Sequence, residues 1–330
     1  MGDSTERDPV GEQFGGTTDL YDVAEWDERG PIDTLAVKIH AAARWGGKGV
    51  LVLVALVLLV AQVGIIGYAI YQNPALGALT VLSVVPAIAL AGFVWYHDET
   101  MREPWWPLAV TFILAILFAS FAATVNTALS GLFGGIQFGM VLFFFLVVAP
   151  GEEFVKWLAI RVYAFDRSAF DAVIDGAVYG AVAGLGFATV ENALYIVQGV
   201  LRANALTGPG TIDAAFQTAS ARAFVGPGHV IYSAFAGYYL GLAKFNPENA
   251  GPIVAKGLLI AAGIHATYNS IVTYVSFPGL TFIGFIIVFD GIFGYILYRK
   301  LSRYNSYYAR VEDESDSTVE PAITRIEESD

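Results

Sequence analysis

Eight apolar runs, at about 49–71, 75–96, 107–129, 138–162, 172–199, 223–244, 253–275 and 279–298, fill most of the chain between its two ends. Each is long enough to cross a bilayer, because a helix rises about 1.5 Å per residue and about 20 apolar residues span a hydrocarbon core of roughly 30 Å. The pattern predicts an all-α, polytopic membrane bundle of about eight transmembrane helices. Composition agrees: 56% of the 330 residues are hydrophobic, too many for a soluble globule of this size. Asn73-Pro74 breaks the first pair of runs, and Glu103-Pro104 with Pro107 closes the second loop, since the residue before proline is pushed out of the helical region. Pro86 and Pro150 lie inside runs and predict kinks. The first run begins near Val50, is long enough to span and lacks a clear small-residue cleavage site, so it reads as a retained first helix.

The cationic residues alternate in side. Lys38, Arg44 and Lys48 precede the first run, Arg102 follows the second, Arg161 and Arg167 the fourth, Lys244 and Lys256 bracket the loop after the sixth, and Arg299, Lys300 and Arg303 follow the eighth. The opposite loops offer only Arg202 and Arg222. The positive-inside rule then places both termini in the cytoplasm.

Acidity is confined to the ends. Residues 1–33 hold ten Asp/Glu against two Arg, and residues 311–330 hold eight against one, leaving 12 acids and 15 bases in the middle. Such aromatic-poor, charged segments bury too little apolar surface to offset their ordering entropy. The expected organisation is therefore 1–48, an acidic, mostly disordered cytoplasmic tail with a basic juxtamembrane segment; 49–300, a transmembrane domain; and 301–330, a second acidic, mostly disordered tail. Tail acidity reads as solubility or high-salt adaptation, and no nucleic-acid partner is expected. With no cysteine, a thiolate metal site and a cysteine nucleophile are excluded.

Against this apolar background the buried charges stand out. Pro150-Gly151-Glu152-Glu153-Phe154-Val155-Lys156 puts three charges inside the fourth run. A charge at mid-bilayer costs about 2.5–3.5 kcal/mol even on lenient scales, so each needs a partner, a proton or a function. Lys156 lies one helical turn from both glutamates and can neutralise only one. A salt bridge that merely holds helix register would need a single glutamate, and this helix has two. The fifth run adds Glu191 and Asn192, the sixth Gly226-Pro227-Gly228-His229, the seventh His265 and Asn269 at i, i+4. Counted from the cytoplasmic charges, Glu152, Glu191, His229 and His265 lie roughly 14–24 Å deep, compatible with one site in the middle or outer half of the membrane. Two neutral imidazoles and a carboxylate make a three-ligand zinc site, with a second carboxylate free to take a proton from water. The same residues also suit a metal-free route in which a glutamate activates water while His265 and Asn269 donate to the oxyanion. Asn126 and Asp290 are expected to hydrogen-bond between helices, His97 to be a solvated loop residue, and Trp95, Trp105 and Trp106 to anchor the interface.

Glu152-Glu153-x-x-Lys156, the segment from Asp175-Gly176 through Phe187 to Glu191-Asn192, His229, and His265 to Asn269 together resemble the pattern of the PrsW family of intramembrane proteases. That family is distantly related to CAAX-processing and bacteriocin-processing membrane endopeptidases, and the resemblance covers roughly residues 90–300. It implies that Glu152 and Glu153 are catalytic, with Asn269 as an accessory donor, and that Glu191, His229 and His265 bind metal, zinc by expectation, or water. It also implies a membrane-embedded or membrane-anchored protein substrate and regulated proteolysis at the cell membrane. PrsW-like proteins cut a membrane-tethered anti-sigma factor, but nothing in this sequence reads such a partner. Two other classes use similar parts. A proton- or cation-coupled transporter predicts an internal repeat with matching broken helices, and none is evident. An inactive scaffold of the same fold predicts motif carboxylates that can be neutralised without consequence.

Overall fold

The computed structural model describes residues 8–14, 16–43, 49–203, 208 and 210–327, and helices carry nearly all of them. Two short helices, α1 (Pro9–Phe14) and α2 (Pro31–Ala43), precede the bundle. The bundle comprises α3 (Gly49–Gln72), α4 (Ala75–Tyr96), α5 (Trp105–Ser130), α6 (Gly139–Phe143), α7 (Ala149–Tyr163), α8 (Val173–Arg202), α9 (Thr211–Lys244), α10 (Ala250–Tyr274) and α11 (Leu280–Glu327). Among the described residues, five stretches are long and apolar enough to cross a membrane: Ala75–Tyr96, Trp105–Phe133, Val173–Arg202, Pro247–Tyr274 and Leu280–Val311. The other three expected runs are helical as well. α3 has 24 residues and no charge, whereas α7 and α9 carry Glu152, Glu153 and Lys156, and Asp213 and Arg222.

Packing centres on α8, whose glycines meet the backbone of α9. A Cβ at Gly176 would lie 2.1 Å from the Gly237 carbonyl, at Gly180 2.2 Å from that of Ser233, and at Gly184 2.3 Å from that of His229. Only hydrogen fits there, so the stripe lets two backbones touch over two turns, the small-residue mode of membrane helix association. Gly237 and Gly241 answer it from α9, with Cβ positions 2.0 and 2.2 Å from the Gly176 and Val173 carbonyls.

Pro150 lies in the first turn of α7, directly after an irregular stretch. Residues Phe144–Val148 form a π-helical turn that joins α6 to α7. Proline lacks an N–H and its ring crowds the carbonyl four residues back, and a wider turn accommodates both. α9 begins at Thr211, well before the expected 223, because its added turns are polar toward a cavity and so depress hydropathy.

The ends differ more from expectation. The N-terminal segment docks on the bundle through buried Val10, Leu20, Val23 and Trp26. Asp8 accepts from Tyr304 Oη and from the Val173 amide. Asp22 accepts from Lys256 Nζ (3.1 Å), Lys300 Nζ (2.9 Å) and Tyr239 Oη (2.8 Å). Asp33 pairs with Lys256 at 2.9 Å and accepts from Tyr21 Oη at 2.7 Å. The acids are therefore structural counter-ions to cationic helix ends, and apolar residues interleaved among them supply a core. α11 runs on to Glu327, since no glycine or proline interrupts it between Gly294 and Pro321, and Leu297, Leu301 and Tyr304 stay buried. His97 is no free loop residue either: it stacks on Phe93 and sits 3.4 Å from Ser302 Oγ on α11. Arg44 and Lys48, counted for orientation, lie outside the described residues, as do 1–7 and 328–330 of the tails.

Candidate active site

α7, α8, α9 and α10 bring five of the six residues singled out from the sequence into one cluster. Its charge is divided as the helical spacing requires. Lys156 Nζ donates to Glu153 Oε1 at 2.7 Å, and Glu153 is wholly buried. Glu153 also accepts from Ser233 Oγ at 3.3 Å and faces His265 Nδ1 at 2.9 Å. It does not line the cavity; its oxygens are taken up by Lys156, Ser233 and His265.

Glu152 is the glutamate left over. Its Oε1 accepts from Asn126 Nδ2 on α5 at 2.9 Å, whereas its Oε2 is buried without a hydrogen-bond partner. Oε2 faces His265 Nε2 at 3.7 Å. A carboxylate can only accept, so the His265 ring proton sits on Nδ1 and is donated to Glu153, and Nε2 presents a lone pair. Two acceptors thus confront each other across a gap that calls for a proton, a water or a cation.

His229 is set the other way. Lys156 Nζ lies 3.0 Å from its Nδ1, and a lysine has only donors to offer, so the ring proton belongs on Nε2. Nε2 points at Glu191 Oε2, 2.7 Å away. Glu191 is also paired with Arg222, whose Nε donates to Asn192 Oδ1 at 2.8 Å. Asn192 in turn donates to Ser83 Oγ on α4 at 3.0 Å. The rings of His229 and His265 meet edge to face at 5.2 Å, and Tyr232 stacks on His265 at 5.3 Å. Asp290 on α11 meets Tyr232 Oη at 3.4 Å, the interhelical contact expected of it.

Glu152, Glu191, Arg222, His229, His265 and Asn269 lie on the wall of a cavity of about 900 Å³. Asn269 lies on that wall without joining the cluster. Ligand atoms of Glu152, His229 and His265 lie within 4.8 Å of one another, a group that could hold a metal ion. The sequence expectation put Glu191 in that group; the structure gathers Glu152 there and gives Glu191 to Arg222. The donor types suit zinc, and Glu152 Oε2 with His265 Nε2 presents free electron pairs. His229 would join only by moving its proton to Nδ1, where Lys156 now donates.

Arg222 is the cluster residue that the sequence does not single out. In the sequence Arg222 reads as an outer-loop charge, yet it sits inside α9. Its spacing of seven from His229 would have placed both on one helix face. Asn126 hydrogen-bonds a neighbouring helix as expected, and its partner is Glu152.

A family profile described as PrsW family intramembrane metalloprotease matches residues 103–294. Protease PrsW of Geobacillus kaustophilus is 30% identical over 187 residues, covering 56% of this chain and 76% of that protein. The Oceanobacillus iheyensis protein of that name is 30% identical over 195 residues, 58% and 83% of the two chains, and the Bacillus subtilis one 28% over 206 residues, 60% and 84%. No solved structure matches. The profile spans more than half of the chain and takes in every residue of the cluster, and the chain belongs to the PrsW family of intramembrane proteases.

Proposed function

We propose that this chain hydrolyses a peptide bond of a membrane-embedded or membrane-anchored protein, with Glu152 as the group that accepts a proton from water. The observation that carries this reading is the unpartnered, buried Oε2 of Glu152 facing the lone pair of His265 Nε2 at the wall of the cavity. A water in that gap would be held by two acceptors and stripped of competing donors, the arrangement a general base needs. Asn126 fixes the carboxylate, and Glu153 fixes the imidazole. His229 Nε2–H and the Asn269 amide are the donors on hand for a peptide oxygen that gains charge. Glu191, held by Arg222, is the next carboxylate available to relay a proton toward the leaving nitrogen.

Zinc would be held by Glu152 and His265, and by His229 after its proton shift, and when bound it would polarise the scissile carbonyl and acidify water. The residues keep their positioning roles in either case. We further read α3, the α6–α7 unit and α9 as spans beside the five apolar stretches, giving eight crossings, cytoplasmic termini and a multi-pass protein of the cell membrane. α6 and α7 are divided by the π-helical turn and carry Glu152, Glu153 and Lys156, and α9 owes its lower hydropathy to Arg222 and to its glycines, tyrosines and His229.

Two measurements test this. In proteoliposomes holding a membrane protein that the wild type cleaves, Glu152→Gln should stop cleavage; full activity in that variant would remove Glu152 from the base role. Elemental analysis of detergent-purified protein, wild type beside His229→Ala/His265→Ala, should find about one zinc per chain in the first and none in the second. An active wild type without zinc would leave the glutamate acting alone.

A further inference from the structure

A second cavity, about 650 Å³, opens between α11 and the docked N-terminal segment, away from the active-site cluster. Its α11 wall, which includes Tyr295, Arg299, Ser302, Arg303 and Ser306, continues a stripe that starts outside the cavity at Val288 and Ile292. These residues recur at helical spacing and share one face. The upper part is apolar and open, with Val288 62%, Ile292 53% and Tyr295 60% exposed. The lower part is cationic and hydroxylated. Tyr295 and Tyr298 mark the level at which the helix leaves hydrocarbon for headgroups.

The cations on this wall are not equivalent. Lys300 is occupied: its Nζ donates to Asp22 O at 2.8 Å and Oδ2 at 2.9 Å. Arg299 and Arg303, on either side of it, have no carboxylate at ion-pair distance among the described residues; Arg303 lies 6.0 Å from the Tyr307 ring and feels the charge of Asp19, which Arg29 holds at 2.7 Å. Asp22, the one acid on the cavity wall, is answered by Lys256 and Lys300. Two guanidiniums without an ion pair thus line a groove that runs on to exposed apolar surface, beside Ser302, 3.4 Å from His97, and Ser306, whose hydroxyl donates to the Arg303 carbonyl and can turn to a ligand.

We propose that this groove binds an anionic phospholipid, its phosphate held by Arg299 and Arg303 with Ser302 and Ser306, and its acyl chains laid along Val288 and Ile292. Guanidinium pairs suit phosphate by their paired donors. The apolar upper stripe selects a lipid over a free phosphate, because only an acyl chain covers it. Such a lipid would join the N-terminal segment, α11 and the bilayer at one point. The inference needs only that α11 crosses the membrane and is independent of proteolysis.

Native mass spectrometry of the full chain in neutral detergent, offered equal amounts of phosphatidylglycerol and phosphatidylcholine, tests it. The expected result is a preference of roughly 30-fold for phosphatidylglycerol, the effect of two cationic side chains at a membrane surface. Arg299→Gln/Arg303→Gln should bring it below about twofold, while Arg102→Gln/Arg167→Gln, the same charge loss elsewhere, should leave it in place. Arg303→Gln alone should give an intermediate preference, and it serves if the double variant does not fold. A preference absent in the wild type, kept by the Arg299/Arg303 variant, or lost equally in the Arg102/Arg167 variant overturns the proposal. Full displacement of the lipid by glycerol phosphate at similar concentration would show a phosphate site without lipid character and overturn it as well.

Discussion

Glu152 and Glu153 are adjacent in the chain and opposite in circumstance. A helix turns by about 100° per residue, so one carboxylate meets Lys156 and His265 inside the bundle and the other reaches the cavity. Glu152→Gln removes the proton acceptor and keeps the Asn126 contact within reach; we expect cleavage to fall about 10²–10⁴-fold with the melting temperature little changed, read in proteoliposomes and by thermal unfolding. Lys156→Met should act on stability first. It strands a buried Glu153 carboxylate, a loss of about 3–5 kcal/mol, visible as a large drop in the thermal midpoint. Equal behaviour of the two variants would show that the glutamates do not divide the work. The spacing of Glu152, Glu153 and Lys156 made that division legible; the choice of partner for Glu191 was not, because Arg222 looked like a loop charge until α9 extended back to include it.

Among the elements, α8 and α9 set the position of His229. Gly184 touches the His229 backbone, so Gly184→Ala would push a Cβ to 2.3 Å from the His229 carbonyl. Helix α9 has to move away, and with it the imidazole. We expect a loss of about 1–3 kcal/mol together with lost cleavage, measured by thermal unfolding and turnover. Gly263 is the control, since a Cβ there meets nothing within 4 Å. Gly263→Ala should leave both readouts near the wild type. The stripe of Gly176, Gly180 and Gly184 was visible as a close-packing face; that its partner is α9, with Gly237 and Gly241 in register, required the fold.

For the whole molecule, the N-terminal segment behaves as a strap across the helix ends rather than as a free tail. Burial pushes Asp33 up, but hydrogen bonds from Tyr21, Lys256 and the Gly30 and Arg29 amides outweigh it and hold the carboxyl at about 2. Asp22 is likewise low: burial works against its charge, and Lys300 and Lys256 prevail. A carboxyl held below its ordinary 3.8 contributes stability that is complete above that value and is lost as the pH falls toward about 2. Amide hydrogen exchange in residues 20–40 should therefore quicken, after correction for intrinsic rates, as pH drops through that interval. Asp33→Asn should remove much of the pH dependence, and a pH response identical to wild type would show that the strap is held by its apolar contacts alone.

The sequence by itself determined that the chain is built of long apolar helices and which ionisable residues lie among them. Run length against bilayer thickness is a local property, and so is the cost of a charge in lipid, which singles out Glu152, Glu153, Glu191, His229 and His265 before any fold is known. The tertiary structure decided which donor meets which acceptor. Proton placement on His229 and His265, the pairing of Glu191 with Arg222, the unpartnered oxygen of Glu152 and the docking of the acidic N-terminal segment all depend on contacts between distant segments. Helical spacing fixes faces within one element, and hydrogen bonds act over about 3 Å, so only the packing of several helices selects among them.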